Sequence, residues 1–140
     1  MAKLHLIKLS VGSKNVESMS DWQATRRAQT EDGLPRHITR MWPRRADEVL
    51  DGGSLYWVMK GVIRCRQKLI GIEPFTDNEG IGRCRLVLDK EIVPTRRQER
   101  RPFQGWRYLK PQDAPADLKS STVNDVPPEL GLALKEAGVW

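Results

Sequence analysis

Apolar and polar positions are patterned most clearly in the middle of the chain, over SLYWVMKGVIRCRQKLIGIEPF at 54–75. LYWVM is apolar at every position, which suits a strand covered on both faces or closed into a barrel. Gly61 marks a bend or bulge. Beyond it Ile63, Cys65 and Leu69 fall on one face, and Arg64, Arg66 and Lys68 on the other. TDNEG at 76–80 reads as a turn, and IGRCRLVLD at 81–89 returns as a strand with Cys84, Leu86 and Leu88 inward.

The flanks carry shorter signals. LHLIKL at 4–9 is a strand, and a helix follows near 20–30. Ser20 is its N-cap, Gln23 completes a capping box, and Trp22 anchors it. HITRMW at 37–42 alternates as a strand up to Pro43, which opens a two-turn helix over PRRADEVL at 43–50 with Val49 and Leu50 packed inward. EIVP at 91–94 continues the sheet or leaves it, and RRQERR at 96–101 reads as a solvated loop. In RPFQGWRYL at 101–109 a bend at Gly105 puts Trp106 and Tyr108 on one face and Arg107 on the other. The stretch 111–128 holds four prolines and is a loop. A last helix begins near Asp125, with Leu130, Leu134 and Ala137 buried and Gly138 ending it. No repeat or second-domain boundary interrupts the chain, so 1–140 is read as a single domain.

Charge sharpens this outline. Residues 36–68 carry eight Lys/Arg against three acids, and residues 96–110 carry six against one, a net +5 in each block. Two such blocks suggest a patch that attracts polyanions. Arg-Cys-Arg occurs twice, around Cys65 and Cys84. Two small buried thiols with arginines outside explain it better than a reactive pair, and a simple hairpin sets Cys84 opposite residue 71 rather than Cys65. His5 and His37 lack acidic or thiol companions at ligand spacing, so no metal or other cofactor is expected. The apolar opening is too short and too interrupted by lysine for a signal peptide, and no run reaches membrane-spanning length. A cytoplasmic protein is the expectation. The oligomeric state is open.

RMWPRRADEVLDGGSLYWVMKG at 40–61, RCRLVLD at 83–89, RPFQGWRYL and DAPADL at 113–118 resemble a group of small alphaproteobacterial proteins sharing a domain of unknown function. A second resemblance rests on the short helix, DGGSLYWVMKG, the strand leading into IGIEPF, and GWRYL. It is to the PUA-like superfamily, which includes the EVE and ASCH domains. Gly52-Gly53-Ser54-Leu55-Tyr56-Trp57 and Ile70-Gly71-Ile72 occupy similar places, although no Asp follows Gly53 and basic residues interrupt the glycine-bearing strand. This resemblance implies an α+β fold: a small, twisted, mostly antiparallel β-barrel flanked by two or three helices, holding RNA or a modified base.

On that reading Trp42, Trp57, Trp106 and Tyr108 are stacking candidates, since any base presents a π-face to an aromatic ring, and Tyr56 is a further base-binding candidate. Arg40, Arg44 and Arg45 line one rim, with Arg64 and Arg66 on the strand beyond. Arg100, Arg101 and Arg107 supply phosphate contacts, and Gln104 reads a base edge. The binding partner expected is RNA or a modified nucleobase, with no membrane partner. Two alternatives remain open. Some ASCH-type proteins hydrolyse amides with a lysine, a threonine and a glutamate, which implies Lys60, Thr39 and Glu73 as catalytic candidates. An adaptor docking through the apolar C-terminal end is the other.

Overall fold

The computed structural model describes residues 3–10, 15–27 and 31–118. Its elements in chain order are β1 (His5–Leu9), α1 (Val16–Arg27), β2 (Arg36–Thr39), α2 (Ala46–Leu50), β3 (Ser54–Met59), β4 (Val62–Thr76), β5 (Gly82–Leu88), β6 (Val93–Glu99) and β7 (Trp106–Leu109). The chain is α+β, with one sheet of seven strands ordered β2-β5-β4-β3-β1-β7 and β6 paired to β4 beside this path. The barrel expected from the resemblance is not formed. β2 and β7 are free edges, and strand pairing does not close the sheet. Among the described residues no helix is long and apolar enough to cross a membrane.

One long strand organises the rest. Lys60 and Gly61 form a two-residue turn with φ of 54° and 77°, the left-handed pair that suits a tight hairpin. The irregularities lie further on. Pairing of β3 with β4 runs Val58↔Ile63 and then Trp57↔Cys65, so Arg64 is an extra residue. Pairing of β4 with β5 runs Leu69↔Leu88 and then Gly71↔Val87, so Ile70 is a second. Each bulge reverses which face the following residues occupy and bends the strand. Ile63 therefore joins Tyr56 and Val58 in one core cluster while Cys65 enters another. The single inward face expected for Ile63, Cys65 and Leu69 is split for that reason.

The two faces are covered differently. On one, Leu6, Leu55, Trp57, Leu69, Leu86 and Leu88 pack beneath both helices, through Met19 of α1 and Val49 of α2. On the other, Ile7, Tyr56, Val58, Ile63 and Leu109 are covered by Phe103 and Ala114 from the segment around β7. The first face also holds a satisfied polar network. Gln67 is fully buried, accepts from Trp57 Nε1 and Gln23 Nε2 (2.9 Å each), and donates to Gln23 Oε1 and the Asp89 carbonyl (2.7 and 2.9 Å).

Several local expectations change. α1 starts earlier than residue 20, because Asn15 caps it: its Oδ1 accepts from the Ser18 N–H at 2.8 Å. Trp22 does not anchor the helix and is 53% exposed, while Met19 and Gln23 face inward. The charged run at 96–101 is mostly strand β6 rather than a loop. Both cysteines are buried and free, and burial pushes the Cys65 thiol up to about 12. Cys84 lies opposite Pro74 rather than residue 71, because the turn spans 77–81 and pairing starts from Thr76↔Gly82. The helix expected near 125–138 falls outside the described residues.

Gly53 fixes where α2 hands over to β3. A Cβ there would sit 2.2 Å from the Val49 carbonyl oxygen and 2.3 Å from that of Leu4. Only glycine allows the helix end, β1 and β3 to meet so closely.

Candidate functional site

Two polar regions stand on opposite sides of the sheet. The first is a rim between its free edges. The segment leaving β2 crosses to β7, where the Trp106 indole N–H donates to the Met41 carbonyl at 2.8 Å and the Arg45 N–H donates to the Tyr108 hydroxyl at 3.0 Å. Trp106 and Tyr108 share a face, as the bend at Gly105 (φ 68°) requires, and touch edge to face with centroids 4.9 Å apart. Pro43 is buried and holds the segment down, leaving Trp42 45% exposed beside it.

Arg40, Arg44 and Arg45 therefore flank an exposed indole at a seam already lined by two aromatics. Arg45 pairs with Glu48 (Nη2–Oε1 2.8 Å) and lies 5.6 Å from the Tyr108 ring centroid. Arg40 and Arg44 are exposed and form no ion pair among the described residues. Behind the rim, Lys8 stands in register between Trp57 and Trp106. His37 meets the Trp57 ring edge-on at 5.1 Å. Burial, helped by the Lys8 charge, lowers the His37 pKa to about 4, and its Nε2 is buried without a hydrogen-bond partner.

The second region is a cleft of about 310 Å³ on the opposite face. Its floor is His5 from β1, Ser54 and Tyr56 from β3, and Arg66 from β4; its cover is the 111–117 stretch. The Arg64 bulge makes this floor, because it sets Arg66 directly across from Tyr56. Arg66 grips Asp117 with two hydrogen bonds of 2.7 Å and donates a third to Ser54 Oγ at 2.9 Å. Backbone bonds hold Asp117 independently: Arg96 N–H to the Ala116 carbonyl at 2.8 Å and Leu118 N–H to the Pro94 carbonyl at 2.9 Å. His5 Nδ1 accepts the Ser54 N–H at 3.0 Å. Burial, then Arg66, lowers its pKa, so the ring is neutral and carries its proton on Nε2.

The remaining candidates scatter. Arg64, half-buried at its bulge, donates to the Met59 carbonyl at 3.3 Å, and burial followed by the Arg97 charge lowers its pKa. Arg100 reaches the Asp113 carbonyl at 3.5 Å, with its Nε buried and unpartnered. Arg101 and Gln104 are exposed, and Arg107 lies 5.5 Å over Phe103, on the face away from Trp106. Lys60, Thr39 and Glu73 are not assembled. Lys60 is exposed in the turn before β4, Glu73 is near the strand's other end in an ion pair with Arg36, and Thr39 is buried opposite Cys84. Among the described residues no group of His, Cys, Asp and Glu could hold a metal ion.

Sequence reading missed His5, Ser54 and Asp117. Ser54 and His5 are brought together by parallel pairing of β1 with β3, which no local pattern encodes. Asp117 arrives through its bridge to Thr95. A tight Lys60-Gly61 hairpin was the available signal for Tyr56, and the bulge then selects Arg66 as its partner.

Fold and site together define a basic α+β protein built on one open seven-stranded sheet, with an aromatic–arginine seam on one side and a polar cleft on the other. Residues 6–140 match the family model described as "Protein of unknown function (DUF1489)", and the chain belongs to that family. No curated protein matches it. No solved structure matches it either.

Proposed function

We propose that this protein binds nucleic acid, as single-stranded RNA or a modified nucleobase presented on a strand, through the rim between β2 and β7. The observation that carries this reading is the exposed Trp42 held between Arg40 and Arg44, which have no acidic partner among the described residues, over a seam lined by Trp106 and Tyr108. An exposed ring offers a stacking surface for any base, and unpaired guanidiniums beside it receive phosphates. Lys8, in register with Trp106 on the strand beside it, would meet an acceptor group of a bound base. The finer fold reading goes with this: we take the sheet as a PUA-like barrel left unpaired along one seam. Its support is the pair of hydrogen bonds that tie segment 41–45 to β7. Two buried unpaired thiols fit a reducing, cytoplasmic setting.

Fluorescence anisotropy with a labelled single-stranded RNA tests it. Two arginine–phosphate contacts, at Arg40 and Arg44, at ~0.7 released ions each predict that raising salt from about 50 to about 200 mM weakens binding ~7-fold. Trp42→Ala should cost about 30-fold, the middle of the range for one stacked base. No binding at the lower salt, or equal binding by Trp42→Ala, would overturn the reading.

A further inference from the structure

The cleft on the opposite face has donors that no group among the described residues receives. Arg66 has five N–H groups as any guanidinium does, and three are engaged by Asp117 and Ser54, so two remain. The tautomer of His5, set by the Ser54 N–H on Nδ1, leaves an Nε2–H that bonds no group among the described residues. The Tyr56 hydroxyl likewise has no hydrogen-bond partner among them, although the residue is buried and lines the cleft. Ser54 Oγ accepts from Arg66 and keeps its own proton to donate. Among the lining residues the one acid is Asp117, and both of its oxygens are already directed at Arg66.

We propose that this cleft is a second binding site, for a small organic oxyanion: a carboxylate or a phosphate monoester whose oxygens are received by His5 Nε2–H, the Tyr56 hydroxyl and the free N–H groups of Arg66. Its volume lies at the lower end of ligand pockets, ~300–1,000 Å³, and fits a compact molecule rather than a polymer. The 114–116 stretch, Ala-Pro-Ala, supplies an apolar wall for the body of that molecule. Asp117 is not displaced by it, because the backbone bonds at Arg96 and Leu118 hold that residue whether or not Arg66 is occupied. The field agrees with the donor geometry: at both His5 and Tyr56 the Arg66 charge outweighs that of Asp117.

Nuclear magnetic resonance of the labelled full-length protein, titrated with benzoate, phenyl phosphate and neutral benzamide, tests the proposal. The three probes share one ring and differ in the group presented. Benzoate or phenyl phosphate should shift the His5 and Tyr56 signals saturably and raise the His5 pKa, and the tighter of the two names the oxyanion class. Tyr56→Phe removes one donor to a charged acceptor while keeping the ring, and should weaken that binding about 10-fold with an unchanged fold. The proposal is overturned if neither anion moves these signals at about 10 mM, ten times the 1 mM that marks ~4 kcal/mol of binding. It is equally overturned if benzamide binds as well as benzoate, or if Tyr56→Phe binds as well as wild type. The readout is the cleft's own resonances, so failure here leaves RNA binding at the rim untouched.

Discussion

On the cleft side of the sheet, Arg66 is held by Asp117 and Ser54 in three hydrogen bonds of 2.9 Å or less. On the rim, Arg40 and Arg44 are exposed and form no ion pair among the described residues. Both came from the same basic block of the sequence, and composition could not tell them apart. Pairing makes the difference. A half-buried, forked ion pair is short-ranged and shapes a fixed cavity, whereas free surface guanidiniums keep their field for a diffusing polyanion and lose it to salt. The arithmetic of net charge thus overstates the rim and hides the cleft.

Three experiments act on this contrast. The largest effect should come from Gly53→Ala, which strikes both regions together because the residue joins α2, below the rim segment, to β3, in the cleft floor. The added methyl cannot coexist with carbonyls at 2.2 and 2.3 Å, so a loss of ~3 kcal/mol or more is expected in denaturant unfolding. A loss under about 1 kcal/mol would mean the junction yields easily.

Acid should separate the two sides next. His37, behind the rim, has a folded pKa of about 4 against 6.5 for the free side chain. The unfolded chain binds the extra proton, so stability is full above about 6.5 and falls as pH drops toward 4. The loss approaches ~3 kcal/mol at 1.36 kcal/mol per unit. Replacing the group with His37→Phe should flatten that part of the profile; an unchanged slope would assign it elsewhere. The smallest effects compare the arginines directly. Arg66→Met, which strands Asp117, should cost ~1–2 kcal/mol of stability. Arg44→Ala should change stability by less than ~0.5 kcal/mol while lowering RNA affinity. Equal stability losses would erase the distinction.

Much of the architecture was legible where a side chain's environment follows from its neighbours in sequence. The unbroken apolar run of β3, the alternation of β5 and the split of Trp106 and Tyr108 from Arg107 all stand as read, whereas the helix expected from Pro43 begins only at Ala46, with Arg45 at its N-cap. β6 was not legible, because only Thr95 of its seven residues is buried and three of the rest, Arg96, Arg97 and Glu99, carry charge like a loop. The barrel was overread: the pattern of strands gives their number and faces but not whether β2 and β7 pair. At the rim, the bonds from Trp106 to the Met41 carbonyl and from the Arg45 N–H to Tyr108 set the 40–45 segment beside β7. Arg40, Trp42, Arg44 and Arg45 come with it because they lie within six residues of one another. His5 and Asp117 were invisible because their neighbours come from parallel pairing and from a single bridge between distant segments.

The Arg64 and Ile70 bulges also bear on how the chain avoids wrong pairings. They divide β4 into three pieces, each in its own phase with the strands beside it. A slip by one residue would drive Arg66 against Leu55 into the larger core and turn Cys65 out to face Tyr56. Burying that guanidinium without Asp117 costs several kcal/mol, so the misaligned sheet is rejected by charge rather than by shape. The bulges act as keys. They admit one alignment of a strand that, from its length alone, could have settled in several.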